Sequence, residues 1–438
     1  MEILEIVPLL PLQKTMLYKI LSNPSIPVFG EQWRYKVTGR IDVSLIEKAW
    51  QKTINSYDIL HGVFQWEHRK SPVFLILKSA VNRCQIYHLE NFKEADKTKQ
   101  ADRIAWKEYH NPVNLNELPI RMTITLLSEN CCEWIITSNH ILFDGWSNSI
   151  IMNNFIHNYF TLCDNRKIQT QSKGQAYSDY VRYVYQEQNN SQHINYWKNY
   201  INGYIFSQPY TRKRKNGNRI EQFPLTESQI QMIQRFCRLN GFTLSVVLYT
   251  IWASLLYIEN PRKTIIIGAT VSGRNLLPCS YDDVVGLLAK TLPMQISFDN
   301  NSSIVDIMTG IRTDLIDIEE HMHVTPEIWL DILPNIQECF SEGLTIQNYP
   351  VQAYNNKGEI DFQIEFYQSN YYTDMDFSIS IKTFIQPNSL EINYSADRYS
   401  SKMVHHRINL YLHILQSLIQ LTQSEIKNTC IISWLKNL

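Results

Sequence analysis

Residues 134–147 read WIITSNHILFDGWS, a run of apolar and β-branched residues that ends in His140 and then, four residues later, in Asp144 followed by Gly145. The run before the histidine has the composition of a buried strand. Such a strand delivers to its mouth one imidazole, the side chain whose ordinary pKa of about 6.5 lets it take or give a proton at neutral pH. The Asp-Gly pair marks a turn. A carboxylate there can hold backbone or a cation, and glycine lets the chain approach a substrate closely and offer an N–H to a developing oxyanion.

Several other chemistries are excluded. The chain has no G-x-S-x-G elbow, no G-x-x-x-x-G-K-[ST] loop and no H-E-x-x-H helix. His405 and His406 stand side by side, with His413 seven residues on; that spacing suits helix capping or a surface better than a metal, and no metal site is expected. Glu319 and Glu320 read as an exposed helix face. A lone histidine at a strand end is usually hydrogen-bonded scaffold, so the elements around it must decide.

Those elements come in two batches. PLQKTMLYKIL is helical, QWRYKVTG alternates like a strand, VSLIEKAWQKTI has helical period, HGVFQWEH returns to strand, and IRMTITLLS pairs naturally with CCEWIITSNH before the helix SNSIIMNNFIHNYF. After the polar stretch DNRKIQTQSKGQ, a helical segment leads to a loop with the basic run Arg212 to Lys215, read as solvated. The second batch runs from the helix LTESQIQMIQRFCRLN through TIIIGATVSG, SSIVDIMTGIRTDLI and the strands DFQIEFYQ, FSISIKTF and LEINYSA to a terminal helix from Ser401 to about Leu421. The expected class is α/β (α+β). The expected lobes are 1–165 and 226–438, joined by linker helices and a loop over 166–225.

Bulk properties agree. A chain of 438 residues is long enough for two cores. With 41 basic against 42 acidic residues it has no field that would draw nucleic acid or an anionic membrane. Its eight cysteines are scattered without a C-x-x-C pair or a preceding signal peptide, as in the reduced thiols of a cytoplasmic protein. The apolar window from Phe242 to Ile258 is interrupted by Thr243, Ser245, Thr250 and Ser254, which suits a central buried helix better than a membrane span.

Further segments complete the pattern: PLLPLQKTMLYKIL near the start, AYSDYVRY followed by YWKNYING, IIIGATVSGRN, VVGLLAKTLPMQI and IQNYPV. Together with NHILFDGWS, and in this order from residue 8 to 351, they resemble the motifs of condensation domains of nonribosomal peptide synthetases, members of the chloramphenicol-acetyltransferase-like superfamily. The resemblance implies a V-shaped pair of lobes with the active site in a tunnel between them. It implies that the chain forms an amide bond between an amine and an acyl or peptidyl thioester carried on the phosphopantetheine arm of a carrier protein, with the acceptor carrier-borne or a soluble amine. No tightly bound cofactor is implied. The chain reads as a free-standing monomeric domain, with no adenylation or carrier segment attached.

The chemistry suits the residue types. An amine of pKa about 8 is largely protonated at neutral pH, and only its free form attacks a thioester. The catalytic candidates are His140, as general base or as positioner of the amine, and Gly145. Asp144, Asn139, Arg274 and His61 take structural roles at the active site, and Trp146, Ser147, Ser272 and Lys290 line the tunnel. Four positions depart from the family: Asn139 replaces the first histidine, Ser56 and His61 replace two arginines, and Lys290 replaces an asparagine. With those arginines gone, Asp144 is expected to pair with protonated His61 or with another cation such as Arg274. Two other readings stay open: an HxxxD acyltransferase using acyl-coenzyme A, and a catalytically impaired module that recruits a partner.

Overall fold

The computed structural model describes residues 2–164, 176–202, 218–275, 280–334, 336, 340–347, 355–356, 362–372, 375–382 and 388–438. The basic run Arg212 to Lys215 and the Asn348 to Val351 part of IQNYPV lie outside the described residues.

The first half of the chain forms β1 (Ile3–Pro8), α1 (Pro11–Leu21), β2 (Gly30–Thr38), α2 (Val43–Ile54), a 3₁₀ turn (Asp58–His61), β3 (Gly62–Gln65), β4 (Val73–Leu77) and β5 (Gln85–His88). It continues with α3 (Glu94–Tyr109), β6 (Ile120–Ser128), β7 (Cys131–Asn139), α4 (Gly145–Cys163) and α5 (Tyr177–Glu187). Next come α6 (Ser191–Tyr200), β8 (Asn218–Pro224), α7 (Glu227–Asn240), α8 (Leu244–Glu259), β9 (Thr264–Val271), β10 (Lys290–Ser297), α9 (Ile304–Glu320) and α10 (Pro326–Ile332). The chain ends with β11 (Glu342–Gln347), β12 (Asn355–Asn356), β13 (Phe362–Tyr371), β14 (Phe377–Lys382), β15 (Ser389–Ser395), α11 (Ser401–Ile419), α12 (Gln423–Asn428) and α13 (Ile431–Lys436).

The chain divides into two compact units, and they are interleaved rather than consecutive. One comprises Met1–Gln186, Ser280–Leu288 and Tyr349–Thr373; the other comprises Glu187–Cys279, Ala289–Asn348 and Asp374–Leu438. The expected division at 165 and 226 is therefore corrected. The reason is strand pairing at long range: β13 adds to β2 antiparallel, with Ile364 opposite Val37, a partnership that local periodicity does not encode.

The first unit holds a six-stranded sheet in the order β12-β13-β2-β7-β6-β5 and a small sheet β1-β4-β3. β7 runs antiparallel between β2 and β6, and its residues Cys132–Asn139 are all buried, which explains the nearly continuous apolar run. α2 begins where the Asp42 side chain accepts from the Leu45 N–H, and it buries Ile46, Ala49, Trp50, Thr53 and Ile54, one helical face. Phe155 of α4 meets Trp50 edge-on at 5.4 Å and Trp134 at 4.8 Å, so both helices seal the same part of β7.

The second unit carries the sheet β10-β9-β11-β14-β15-β8, in which β11 is parallel to both β9 and β14. α8 is buried continuously from Val246 to Leu255, as expected of a central helix. Among the described residues no single helix is long and apolar enough to cross a membrane, and α7 and α8, which reach that length together, are bent by 105°. The described cysteines are free thiols.

Candidate active site

The site begins at the end of β7, where pairing with β2 sets Asn139 opposite Gly30 and Ser138 opposite Glu31. The His140 N–H donates to the Phe29 carbonyl at 2.8 Å, so His140 still borders β2 as the chain leaves the sheet. The chain then turns: Leu142 N–H donates to Asn139 O at 3.0 Å, and Ile141, Leu142 and Phe143 are buried beneath the turn. Asn139 fastens it, donating Nδ2–H to Val28 O at 2.9 Å and accepting from Ile141 N–H at 3.1 Å.

Residues from distant motifs hold this loop. Gln13, from the N-terminal PLLPLQ segment, donates Nε2–H to Ile141 O at 2.8 Å and accepts the hydroxyl of Tyr177, from AYSDYVRY, at 3.0 Å. Asp144 caps α4, its Oδ1 accepting from Ser147 N–H at 2.9 Å, while its Oδ2 accepts from Leu288 N–H at 3.0 Å. Its own N–H donates to Gly286 O at 3.2 Å. The Ser147 hydroxyl donates to Gly286 O and accepts from Gly286 N–H. Gly286 is needed there, because a Cβ would lie 2.6 Å from the Tyr177 ring. Segments that are far apart in sequence thus converge on one turn.

His140 faces a carboxylate. Its Nδ1 lies 3.1 Å from Glu31 Oε1, an ion-pair distance without the alignment of a full hydrogen bond, and the ring keeps 38% of its side-chain surface open. Burial works against charge on the ring, but Glu31, and after it Asp144 and the Phe143 carbonyl, outweigh burial and push the pKa up to about 9. At neutral pH the group is an imidazolium. Glu31 faces Nδ1, and the Phe143 carbonyl also acts on the ring.

In the second unit, Ser272 donates its hydroxyl to Glu319 Oε1 at 2.7 Å, and Gly273 N–H donates to the same oxygen. Arg274, 1% exposed, donates from Nη1 to Ser272 O at 3.1 Å. Lys290 opens β10 with its Nζ 3.2 Å from Met322 O and 3.4 Å from His323 Nδ1. Burial lowers the Lys290 pKa to about 8, and burial followed by the charges of Lys290 and His193 lowers His323 to about 2.

The family model described as "Condensation domain" matches residues 3–437. The chain belongs to the condensation-domain family. Surfactin synthase subunit 2 of Bacillus subtilis is 24% identical over 423 residues, covering 90% of this chain but only 11% of that protein. This condensation domain therefore spans about a tenth of that curated relative. The first condensation domain of the calcium-dependent antibiotic synthetase, solved with a substrate analogue, matches at TM-score 0.77 and 12% identity over 98% of each chain. The starter condensation domain of rhizomide synthetase, solved as a point mutant in complex with C8-CoA, matches at TM-score 0.77 and 15% identity over 97% of each chain. These structures share the mixed α/β fold.

Several expectations for this condensation domain are corrected. His61 does not turn to Asp144: its Nδ1 bonds Leu77 O at 2.7 Å and its Nε2 lies 3.6 Å from Asp58, because the 3₁₀ turn points the ring onto β4. Ser147 is fully buried, its hydroxyl donating to Gly286 O and accepting from Gly286 N–H, so it fastens the loop. Trp146 donates its indole N–H to Asp282 O at 3.1 Å. Gly145 is the first residue of α4. Glu319, read as exposed, is half-buried and holds the Ser272–Gly273 turn. Glu31, Gln13 and Gly286 went unassigned; Gln13 and Gly286 lie inside motif segments, but nothing local marks Glu31.

Two stability predictions arise here. Asn139→Ala leaves Val28 O and Ile141 N–H without their partner and should cost about 1–3 kcal/mol in urea unfolding, whereas Asn139→His, a ring with one donor and one acceptor, should be tolerated. Lys290 carries a folded pKa of about 8 against its ordinary 10.5. Such a lowered base destabilises the fold fully below the folded value and ceases to do so above the unfolded one. Lys290→Asn should therefore stabilise the domain by about 1–3 kcal/mol at pH 7, a gain that fades as unfolding is measured at increasingly alkaline pH.

Proposed function

We propose that this condensation domain forms an amide bond between an acyl or peptidyl thioester borne on the phosphopantetheine arm of a carrier protein and an amine acceptor. The observation that carries the reading is His140 at the end of a central strand, its part-open ring set with Nδ1 against a carboxylate, on a loop braced by distant motif segments. The amine nitrogen attacks the thioester carbonyl carbon, the C–N bond forms and the C–S bond breaks. The ring, once it has given up its resting proton to solvent, takes the proton the amine loses and passes it to the departing thiolate, which leaves as a thiol. The Gly145 N–H, at the first turn of α4, is the candidate donor to the oxyanion.

The test is incubation with acyl-loaded carrier protein and candidate amines, with products read by mass spectrometry. Amide product is the expected result. Turnover with acyl-coenzyme A alone would replace this reading with that of a coenzyme A acyltransferase, and carrier binding without turnover would replace it with that of a recruiting module.

A further inference from the structure

We propose that Glu31 is the positioning residue of this site, a carboxylate that orients the His140 ring toward the amine and stabilises the imidazolium formed when the proton is taken. The inference rests on the amide-forming reading above for its catalytic meaning, and on geometry for the pair itself. β2 and β7 are hydrogen-bonded along their whole length, so the backbone separation between Glu31 and the end of β7 is set by the sheet and not by a mobile loop. Phe29, with φ of 57°, takes a left-handed conformation rare for a bulky residue as the chain enters β2, and its carbonyl receives the His140 N–H. Both sides of the contact are thus anchored.

Glu31 itself is only 16% exposed, and its Oε2 is buried without a hydrogen-bond partner among the described residues. A buried carboxylate oxygen left unpaired is costly unless a neighbouring charge compensates it. Among the described groups that act on the pair, Asp144 is anionic and adds to the pull on the ring. Tyr109 of α3 feels Glu31, and burial followed by the charges of Glu31 and Tyr372 raises its phenol, which keeps it neutral. The compensating charge is His140. This arrangement has the logic of an oriented acid–base pair, in which the carboxylate holds the ring in place and supports its cationic form.

The experiment pairs a titration that needs no turnover with one that does. In the wild type, NMR titration of the His140 ring should show a midpoint near 9, and in Glu31→Gln it should fall toward the ordinary value of about 6.5, with Glu31→Asp between them. The pH profile of kcat/KM for amide formation should move in the same direction and by a similar interval, and the amine's own ionisation limb should stay in place. A Glu31→Gln ring that still titrates near the wild-type midpoint, or a pH profile that does not move, overturns the proposal. A wild type that makes no amide overturns the functional reading instead, while the NMR shift still decides whether Glu31 sets the state of His140.

Discussion

His140→Ala should lower the rate of amide formation by about 10²- to 10⁴-fold, the usual size of a general acid–base contribution, while binding of the loaded carrier stays nearly unchanged. The split follows from where the ring sits. Its side chain is part-open, and its backbone N–H to Phe29 together with the Gln13, Asn139 and Asp144 bonds holds the loop, so truncation removes the proton acceptor while those bonds stay. Single-turnover kinetics with a pre-loaded carrier would measure the loss in the chemical step, and carrier titration would measure binding. The wild-type pH profile adds a sign. A histidine acting as base must first lose the proton that Glu31 holds on it, so the rate should rise with pH up to about 9 and then level; a histidine acting only as a cationic donor would give a rate that falls above that pH. Full activity in His140→Ala would show that substrate positioning alone carries the rate.

Asp144→Ala should have the largest effect on stability, about 2–4 kcal/mol, combining a lost helix cap of about 1 kcal/mol with a stranded backbone N–H worth about 1–3 kcal/mol. Both carboxylate oxygens are in use, one on Ser147 N–H and the other on Leu288 N–H, and the residue is 3% exposed. Asp144→Asn should be milder yet still destabilising, because the amide keeps one acceptor and turns its NH₂ toward a backbone donor. Urea unfolding gives the loss directly; against a typical total of about 5–15 kcal/mol it would also lower the soluble fraction on expression. An Asp144→Ala protein as stable as the wild type would remove the residue from the scaffold.

Elements whose character is local were readable from their residues. The apolar run Trp134–Thr137 belongs to a strand buried on both faces, so its composition alone identifies it, and the Asp144–Gly145 turn into α4 follows from side-chain chemistry that acts over three residues. The spacing of Ile46, Ala49, Trp50, Thr53 and Ile54 marks a helical face in the same way. His140 was legible as a candidate because motif residues on either side appear in order along the chain, which outweighs the scaffold role usual for a lone histidine at a strand end.

What stayed hidden depends on partners far away in sequence. Glu31 is 109 residues from His140, and a shift of β2 by one residue against β7 would turn its side chain to the other face of the sheet. Nothing in FGEQWRYKV records that register, since it follows from how the whole six-stranded sheet packs. The same holds for β13, which leaves the second half of the chain to join β2, and for Gly286, whose missing Cβ makes sense only against Tyr177. His61 departs from expectation for the converse reason: its side chain suits a pairing with Asp144, but the 3₁₀ turn sets its ring nitrogens toward Leu77 O and Asp58. Residue type and spacing select an element and nominate a reactive group, because those preferences act within a turn or two of chain. Which charge faces that group, and hence whether it rests as imidazole or imidazolium, is set by strand register, which only the packed sheet determines.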